Sequence, residues 1–425
     1  MTAPLSRNRD YQLLWISQAL STAGFSASMI ALPLLVLAVT GSPAISGLVL
    51  GVDAAAQMIA GLPAGALADR WNRKKMMLVC EAVQALGVGS LVLAVWWDVT
   101  TVAHLIVVSA LMGVCRSLFG PAEGAALARI VATEHLPTAL AMNSARASLG
   151  QLSGTALGGF LYALGRAVPF AFNVVTHAIA FLALLFVRIP HREVEPHPDS
   201  HLGREMVEGL RWVWRQRHVR VTVLCAISLN FFFSAYYIVI VVLAQERGIS
   251  AGEIGVMAAM FGVGGVVGSL LAPYLQRRIS PYLSITGVFW VLTALTPLAV
   301  FVDNGYVMGA LFACMALLPP TANTTIGTYQ LLLTPDRLRG RLTSVMGVIG
   351  GVSAATGPAF GGVLVEAVSG TDAVLLCAAG IAAITLVVTF NRTLRSFPRS
   401  EDIDLEDLES GQDGRPAPPR TDKTS

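Results

Sequence analysis

Twelve apolar runs, each long enough to cross a bilayer, divide the 425-residue chain. They fall at about 13–38, 44–68, 76–98, 102–126, 140–164 and 167–188, then at about 220–244, 253–275, 282–302, 305–330, 341–366 and 371–391. A helix needs about 20 apolar residues to span the hydrocarbon layer. The predicted fold class is all-α integral membrane, twelve transmembrane helices in two six-helix halves. The halves cover 1–189 and 220–394. Between them, residues 190–219 form a linker in which Leu202 to Arg215 alternates charge and apolar bulk at helical spacing, the pattern of an amphipathic helix on a membrane surface. Residues 395–425 turn acidic, then Pro-rich, with too little apolar surface to repay ordering, and are expected to be a disordered tail.

Composition agrees with the pattern. Hydrophobic residues make up 54% and charged residues 13%, with mean hydropathy +0.65, against about a quarter charged in soluble domains. Net charge is only +3 and no basic run interleaves with aromatics, so nucleic acid is not an expected partner. The five cysteines lie singly inside apolar runs, which indicates neither disulfides nor a metal site. Met1 to Asp10 lacks a cleavable signal, so the first span is expected to be its own insertion signal.

The basic residues predict orientation. With twelve spans and both termini cytosolic, 25 of the 29 Lys and Arg fall in cytosolic segments. Arg166 and Arg247 lie outside, and Arg116 and Arg146 within spans. Only three of the 29 are Lys, and Ala and Gly abound, the bias of a high-GC bacterial genome. The expected location is a bacterial inner membrane, with the lipid bilayer as partner.

An internal repeat divides the chain the same way. Gly150, Gly154, Gly158 and Gly159 in span five are matched, 203 residues later, by Ser353, Gly357, Gly361 and Gly362 in span eleven. Small residues four apart share a helix face and let a neighbouring backbone approach closely. Gly150, Gly154, Gly158, Gly357, Pro358 and Gly361 are therefore expected to pack helices.

Between spans two and three runs Gly65-Ala66-Leu67-Ala68-Asp69-Arg70-Trp71-Asn72-Arg73-Lys74-Lys75. Asp69 and Arg73 are four apart, close enough to pair if the helix continues, and the basic residues suit an anionic inner surface. The segment resembles the signature G-x-L-A-D-R-x-G-R-K of the major facilitator superfamily at seven of eight specified positions, with Asn72 in place of Gly. The resemblance implies a conformational latch, in which Asp69 faces the amino end of span eleven and Glu123 in span four is the acidic partner of the motif's Arg. The latch set is Gly65, Asp69, Arg70, Arg73 and Glu123.

Asn8 to Trp15, with Ser21 and Gly24, Leu32-Pro33, Thr40 to Pro43, Arg339-Gly340-Arg341 and Gly357 to Gly362, is similar to one drug:proton antiporter branch of that superfamily. This branch, the transmembrane secretion effector type, includes macrolide-efflux proteins and enterobactin and other siderophore exporters. Two departures stand out. Thr155 replaces the proline of the antiporter mark in span five, and that mark, Gly-Pro-x-x-Gly-Gly, stands instead in span eleven. Phe25 occupies the position where many branch members carry an acid. Proton coupling is therefore expected at Asp53, about 24 Å along span two from Asp69 at about 1.5 Å per residue. A carboxylate there is costly by at least about 2.5 kcal/mol and needs a partner, a water-filled cavity or a proton. A structural hydrogen bond to another helix is the alternative for Asp53. Arg116, matching the branch's intramembrane Arg, would hold a facing acid ionised until movement separates them, or else bind an anionic substrate or pair with Glu123. Glu81 and Arg146 are expected to pair structurally, and His104 and His177 to pack.

The expected substrate cavity takes Gln18, Met29, Gln57 and Met112 from the first half and Asn230, Tyr236, Tyr237, Asn323 and Thr324 from the second. Its mix of aromatics, amides and methionine suits bulky, partly apolar organic molecules. Phe231, Phe232 and Phe233 cannot all share one face. The sequence thus predicts a monomeric exporter of a small organic compound, driven by a proton gradient, with no cofactor and no catalytic residue. An importer, or a non-transporting receptor or scaffold on the same fold, is the alternative.

Overall fold

The computed structural model describes the backbone of residues 5–189, 210–332, 334 and 336–395, and the side chains there except at 66, 68–70, 331–332, 336–341 and 343–344. The described residues are helical, with no strand among them. Spans one to six are Arg9–Thr40, Pro43–Arg70, Arg73–Trp96, Val102–Ile130, Leu136–Leu164 and Val168–Phe186. Spans seven, eight, eleven and twelve are Arg217–Glu246, Ala251–Arg278, Asp336–Ala367 and Gly370–Phe390.

The helices run past the apolar stretches because polar side chains cap them. Asn8, Ser42, Asn72 and Thr101 each accept a bond from a first-turn N–H, and Ser250 with Glu253 forms a reciprocal capping box. Two spans are interrupted by proline. Span nine, Pro281–Leu295, tightens at Pro297 into a 3-10 turn, Thr296–Phe301. Span ten, expected as one run, is Gly305–Ala316 and Pro319–Leu332, broken where Pro319 and Pro320 remove two N–H donors.

Among the described residues, eleven of the twelve are long and apolar enough to cross a membrane. The exception is span five, which carries Asn143, Arg146 and Gln151 among its apolar residues. Span five packs on spans one and eight rather than standing alone in lipid.

The two halves repeat one packing scheme. Span one lies against five and six as seven lies against eleven and twelve, and two pairs with four as eight pairs with ten. Glycines set the distances. A Cβ on Gly154 would sit 2.1 Å from the Ala23 carbonyl oxygen, and one on Gly158 2.7 Å from that of Ala27, both on span one. Gly150 meets Thr22 in the same seam. In the second half Gly357 meets Ser234 and Gly361 the Ala235 carbonyl, both on span seven. The adjoining glycines turn outward to the other half: Gly159 abuts Gly255 of span eight, and Gly362 abuts Pro43 of span two.

Of the linker, residues 190–209 lie outside the described residues. Residues 210–215 are helical, and Val213 is buried with Val219, Val223, Leu342 and Val345. The tail after Arg395 also lies outside the described residues.

Candidate functional site

The halves meet along two seams, spans two with eleven and five with eight. On the first, close approach runs from Gly362 at Pro43, through Pro358 at Gly47 and Ala355 at Gly51, to Gly351 at Met58. It stops there. Gly347 and Gly65, next along the same seam, have open space where a Cβ would stand. Among the described residues the bundle is thus closed at the end bearing the Gly41–Ser42 turn and parted at Gly65 and Gly347, toward the end bearing Trp71. Glu366 fastens the closed end. Its Oε2 accepts from Ser42 Oγ at 2.5 Å and from Ala44 N at 3.0 Å, placing a carboxylate from span eleven on the amino terminus of span two. Sequence reading passed over Glu366 because it sits at the end of an apolar run and its partners are 322 and 324 residues away.

Inside the first half is a cavity of about 230 Å³ lined by Gln18, Phe25, Glu81, Arg116, Glu123, Arg146 and His177, among others. Arg116 caps the Phe25 ring, its guanidinium carbon 4.2 Å from the centroid. The ring that replaces the branch's acid therefore seats the cation. Asp53 stands within electrostatic reach of Arg116, and its Oδ1 has no hydrogen-bond partner. Gly113 makes this possible, since a Cβ there would lie 2.2 Å from the Asp53 carbonyl oxygen and 3.1 Å from the Gln57 nitrogen, holding span four off span two.

The buried charges pair differently from the sequence expectation. Glu123 Oε1 lies 2.9 Å from Arg146 Nη2 on span five, so Arg146 is its cation in place of Arg116. The approach is an ion pair rather than an aligned hydrogen bond, and Arg146 Nε and Nη1 are unpartnered. Glu81, expected beside Arg146, instead accepts from Gln18 Nε2 at 2.8 Å and holds His177 Nδ1 at 2.5 Å. Of the latch, the Asp69 and Arg70 side chains lie outside the described residues. Arg73 donates to the Ala125 carbonyl at 3.4 Å, and Lys74 ends span six through the carbonyls of Leu185 and Val187.

The substrate set divides. Gln18 lines the cavity and Gln57 is half-buried near Asp53. Met112 and Met29 belong to the packing of the first half instead, with Phe25, Val49 and Leu105. Tyr236 is also core: it is fully buried, stacks on Phe232 and Phe312, and donates to the Thr296 carbonyl. Tyr237 is half-buried with an unpartnered hydroxyl. Asn230, Asn323 and Thr324 are exposed, and Asn230 and Thr324 bond back to carbonyls of their own helices. The three phenylalanines diverge as their spacing requires, Phe231 toward Phe360, Phe232 into the core and Phe233 toward Phe261.

Two six-helix halves, fastened at one end and parted at the other around a charged interior, define a polytopic membrane protein of the major facilitator type. The comparisons agree. The chain belongs to the transmembrane secretion effector family, whose model matches residues 1–412. It is 24% identical over 347 residues to the enterobactin exporter EntS of Shigella boydii serotype 4 (strain Sb227), covering 80% of this chain and 82% of that one. The enterobactin exporter EntS of Escherichia coli O1:K1 / APEC matches to the same extent. In fold, it resembles the bacterial homologue of the human lysosomal transporter Spinster in its inward-facing and unoccupied conformation, with TM-score 0.69, 15% identity and coverage of 97% and 99%. It also resembles the nucleoside transporter NupG, with TM-score 0.68, 13% identity and coverage of 92% and 100%.

Proposed function

We propose that the protein exports a small, partly apolar organic compound (a drug, natural product or siderophore-like molecule) across a bacterial inner membrane, by alternating access and in exchange for protons. The observation that carries this reading is the seam between spans two and eleven, closed from Pro43 to Met58 and parted beyond. Rocking about such a seam exposes a central site to one side at a time. The exporter relatives supply the direction. With both termini cytosolic, as the basic residues suggest, the parted end faces the cytosol and is ready to load an outgoing compound. The protein acts as a monomer, with no cofactor, and the latch around Asp69, Arg73 and Glu123 engages when the halves close at the Trp71 end.

Asp53, facing the cation Arg116 and lacking a full set of hydrogen bonds, is the proton carrier of this reading. In inverted vesicles under a pH gradient, Asp53→Asn is expected to cut driven accumulation of enterobactin or a fluorescent dye at least about tenfold, the loss typical of removing a proton-transfer group. Exchange without a gradient should survive. Unchanged driven accumulation would remove Asp53 from the mechanism. Asp69→Asn should slow movement in both directions.

Glu366 gives a separate prediction. Its bonds to Ser42 and Ala44 exist only while their end is closed. Glu366→Ala should shift the population toward the state open at that end, so a cysteine placed at Ala44 should react faster with a membrane-impermeant maleimide. Equal rates in both backgrounds would show that glycine packing alone holds that end.

A further inference from the structure

Spans one, three and six enclose a titratable pair that the reading above leaves unused. Glu81 is 1% exposed and His177 2%. Gln18 donates to Glu81 Oε1, His177 Nδ1 meets Glu81 Oε2, and Ser21 Oγ lies 3.2 Å from the same ring nitrogen. The other ring nitrogen, Nε2, is buried with no partner. Gln18, Ser21, Glu81 and His177 all line the cavity that also holds Arg116, Glu123 and Arg146. A structural salt bridge at a helix crossing would satisfy the ring at both nitrogens. This one satisfies a single nitrogen, and both residues border a cavity lined by polar side chains.

Charge balance gives the pair its task. Facing it are Cys80 and Gln84 on its own helix, Gln18 and Ser21 from span one, Cys115, Arg116 and Glu123 from span four, and Arg146 from span five. Asp53 adds a carboxylate beside Arg116. Among these described residues, three carboxylates, at Asp53, Glu81 and Glu123, meet two permanent cations, at Arg116 and Arg146. One negative charge is left over, and net charge buried in hydrocarbon is costly. Histidine is the side chain whose charge changes near neutral pH, and a single proton, held either on this ring or on Asp53, balances the interior.

We propose that the Glu81–His177 pair is a second proton-binding site of the first half, loaded from the cavity, and that it shares with Asp53 the coupling of proton entry to export. The proton adds to the free lone pair at Nε2, Nδ1 keeps its hydrogen toward Glu81, and the carboxylate stays ionised as counter-ion. No bond breaks, and the proton leaves from the same nitrogen once the halves have rocked. Carrying two acids in series lets an incoming proton neutralise the interior whichever end is open. This assignment rests on the proton-exchange reading.

The test is made first without any substrate, on the full chain purified into lipid nanodiscs. Infrared difference spectra between alkaline and acidic buffer should show a reversible imidazole band that shifts on labelling with 15N-histidine and is missing in His177→Asn. Glu81→Gln, which replaces the acceptor of Nδ1–H, should displace that band. The labelled wild type keeps the experiment informative should His177→Asn fold poorly, since bands from the other six histidines persist in Glu81→Gln while a His177 band moves. If no imidazole band responds to either change, the site is overturned, whatever transport shows. The second measurement is pH-gradient-driven accumulation of enterobactin in inverted vesicles. Glu81→Gln should lower driven accumulation at least about tenfold while gradient-free exchange continues. Full coupling in that variant overturns the role of the pair alone. A wild type that moves enterobactin with no regard to the gradient overturns the exchange reading, and with it the coupling role, while the infrared result still decides whether the pair binds a proton.

Discussion

Gly362→Leu is expected to cut transport severely while leaving the protein in the membrane, and Gly361→Leu, one residue away, to remove the protein instead. The contrast follows from where the two glycines point. A Cβ at 361 would lie 2.3 Å from the Ala235 carbonyl oxygen on span seven, within the second half. One at 362 would lie 2.4 Å from the Pro43 carbonyl oxygen on span two, across the seam between halves. Backbone atoms cannot rotate away as a side-chain end can, so in each case a helix must move. Within a half this breaks the packing that holds the spans together, since small residues at close approach are what bind helices in lipid. Between halves it forbids only the closed state of that end. The expected loss of transport for Gly362→Leu is more than about tenfold, because about 1.4 kcal/mol against one state already changes its population that much. Two measurements check it: membrane abundance, unchanged for 362 and reduced for 361, and maleimide labelling of a cysteine at Ala44, faster in the Gly362→Leu background. Transport at the wild-type rate in Gly362→Leu would show that the cycle does not pass through this closure.

The same residues show how much the sequence makes legible. The repeat of small residues between spans five and eleven was readable as a period of four on one face, but the partner of each face was not. Periodicity reports which residues share a side of a helix, and the neighbour on that side depends on packing order across the whole bundle. The spans themselves were legible because a bilayer demands about 20 apolar residues of any unprotected helix. Span five departs from that demand while packing on spans one and eight, with Arg146 buried and Gln151 left exposed. Its helix was still found from the length of its run between polar breaks.

Site residues followed the same division. Asp53, Arg116, Gln18 and Glu123 were visible as polar positions where lipid would exclude them, and the structure gathers Gln18, Arg116 and Glu123 into one cavity with Asp53 within electrostatic reach. Met112 and Tyr236 have the chemistry of a cavity lining, yet both face core: Met112 packs with Val49 and Leu105, and Tyr236 finds the Thr296 carbonyl for its hydroxyl. A methionine or tyrosine satisfies either setting equally well, so composition cannot separate them. Pairing among buried charges was least legible. Glu81 and His177 are 96 residues apart and meet only because spans three and six adjoin.

Arg146→Gln is expected to destabilise the protein by about 3 kcal/mol, and the change Glu123→Gln added to it to recover most of that loss. Removing one member of a buried ion pair leaves the other charge uncompensated, at a cost of about 3–5 kcal/mol, while replacing both is often neutral. The lower end applies because the pair borders a cavity and its side chains retain 7% and 14% exposure. Glu123 also belongs to the proposed latch, and the double variant separates its two roles. Stability in detergent, followed by the midpoint of thermal unfolding, reads the ion pair and should return toward wild type in the double variant. Transport rate reads the latch and should not return, because the carboxylate that the latch takes from span four would still be absent. If stability and transport recover together, Glu123 serves Arg146 alone, and the latch must be completed by another acid. If neither recovers, the 2.9 Å approach contributes through packing around the guanidinium stem, which Gln at both positions cannot restore.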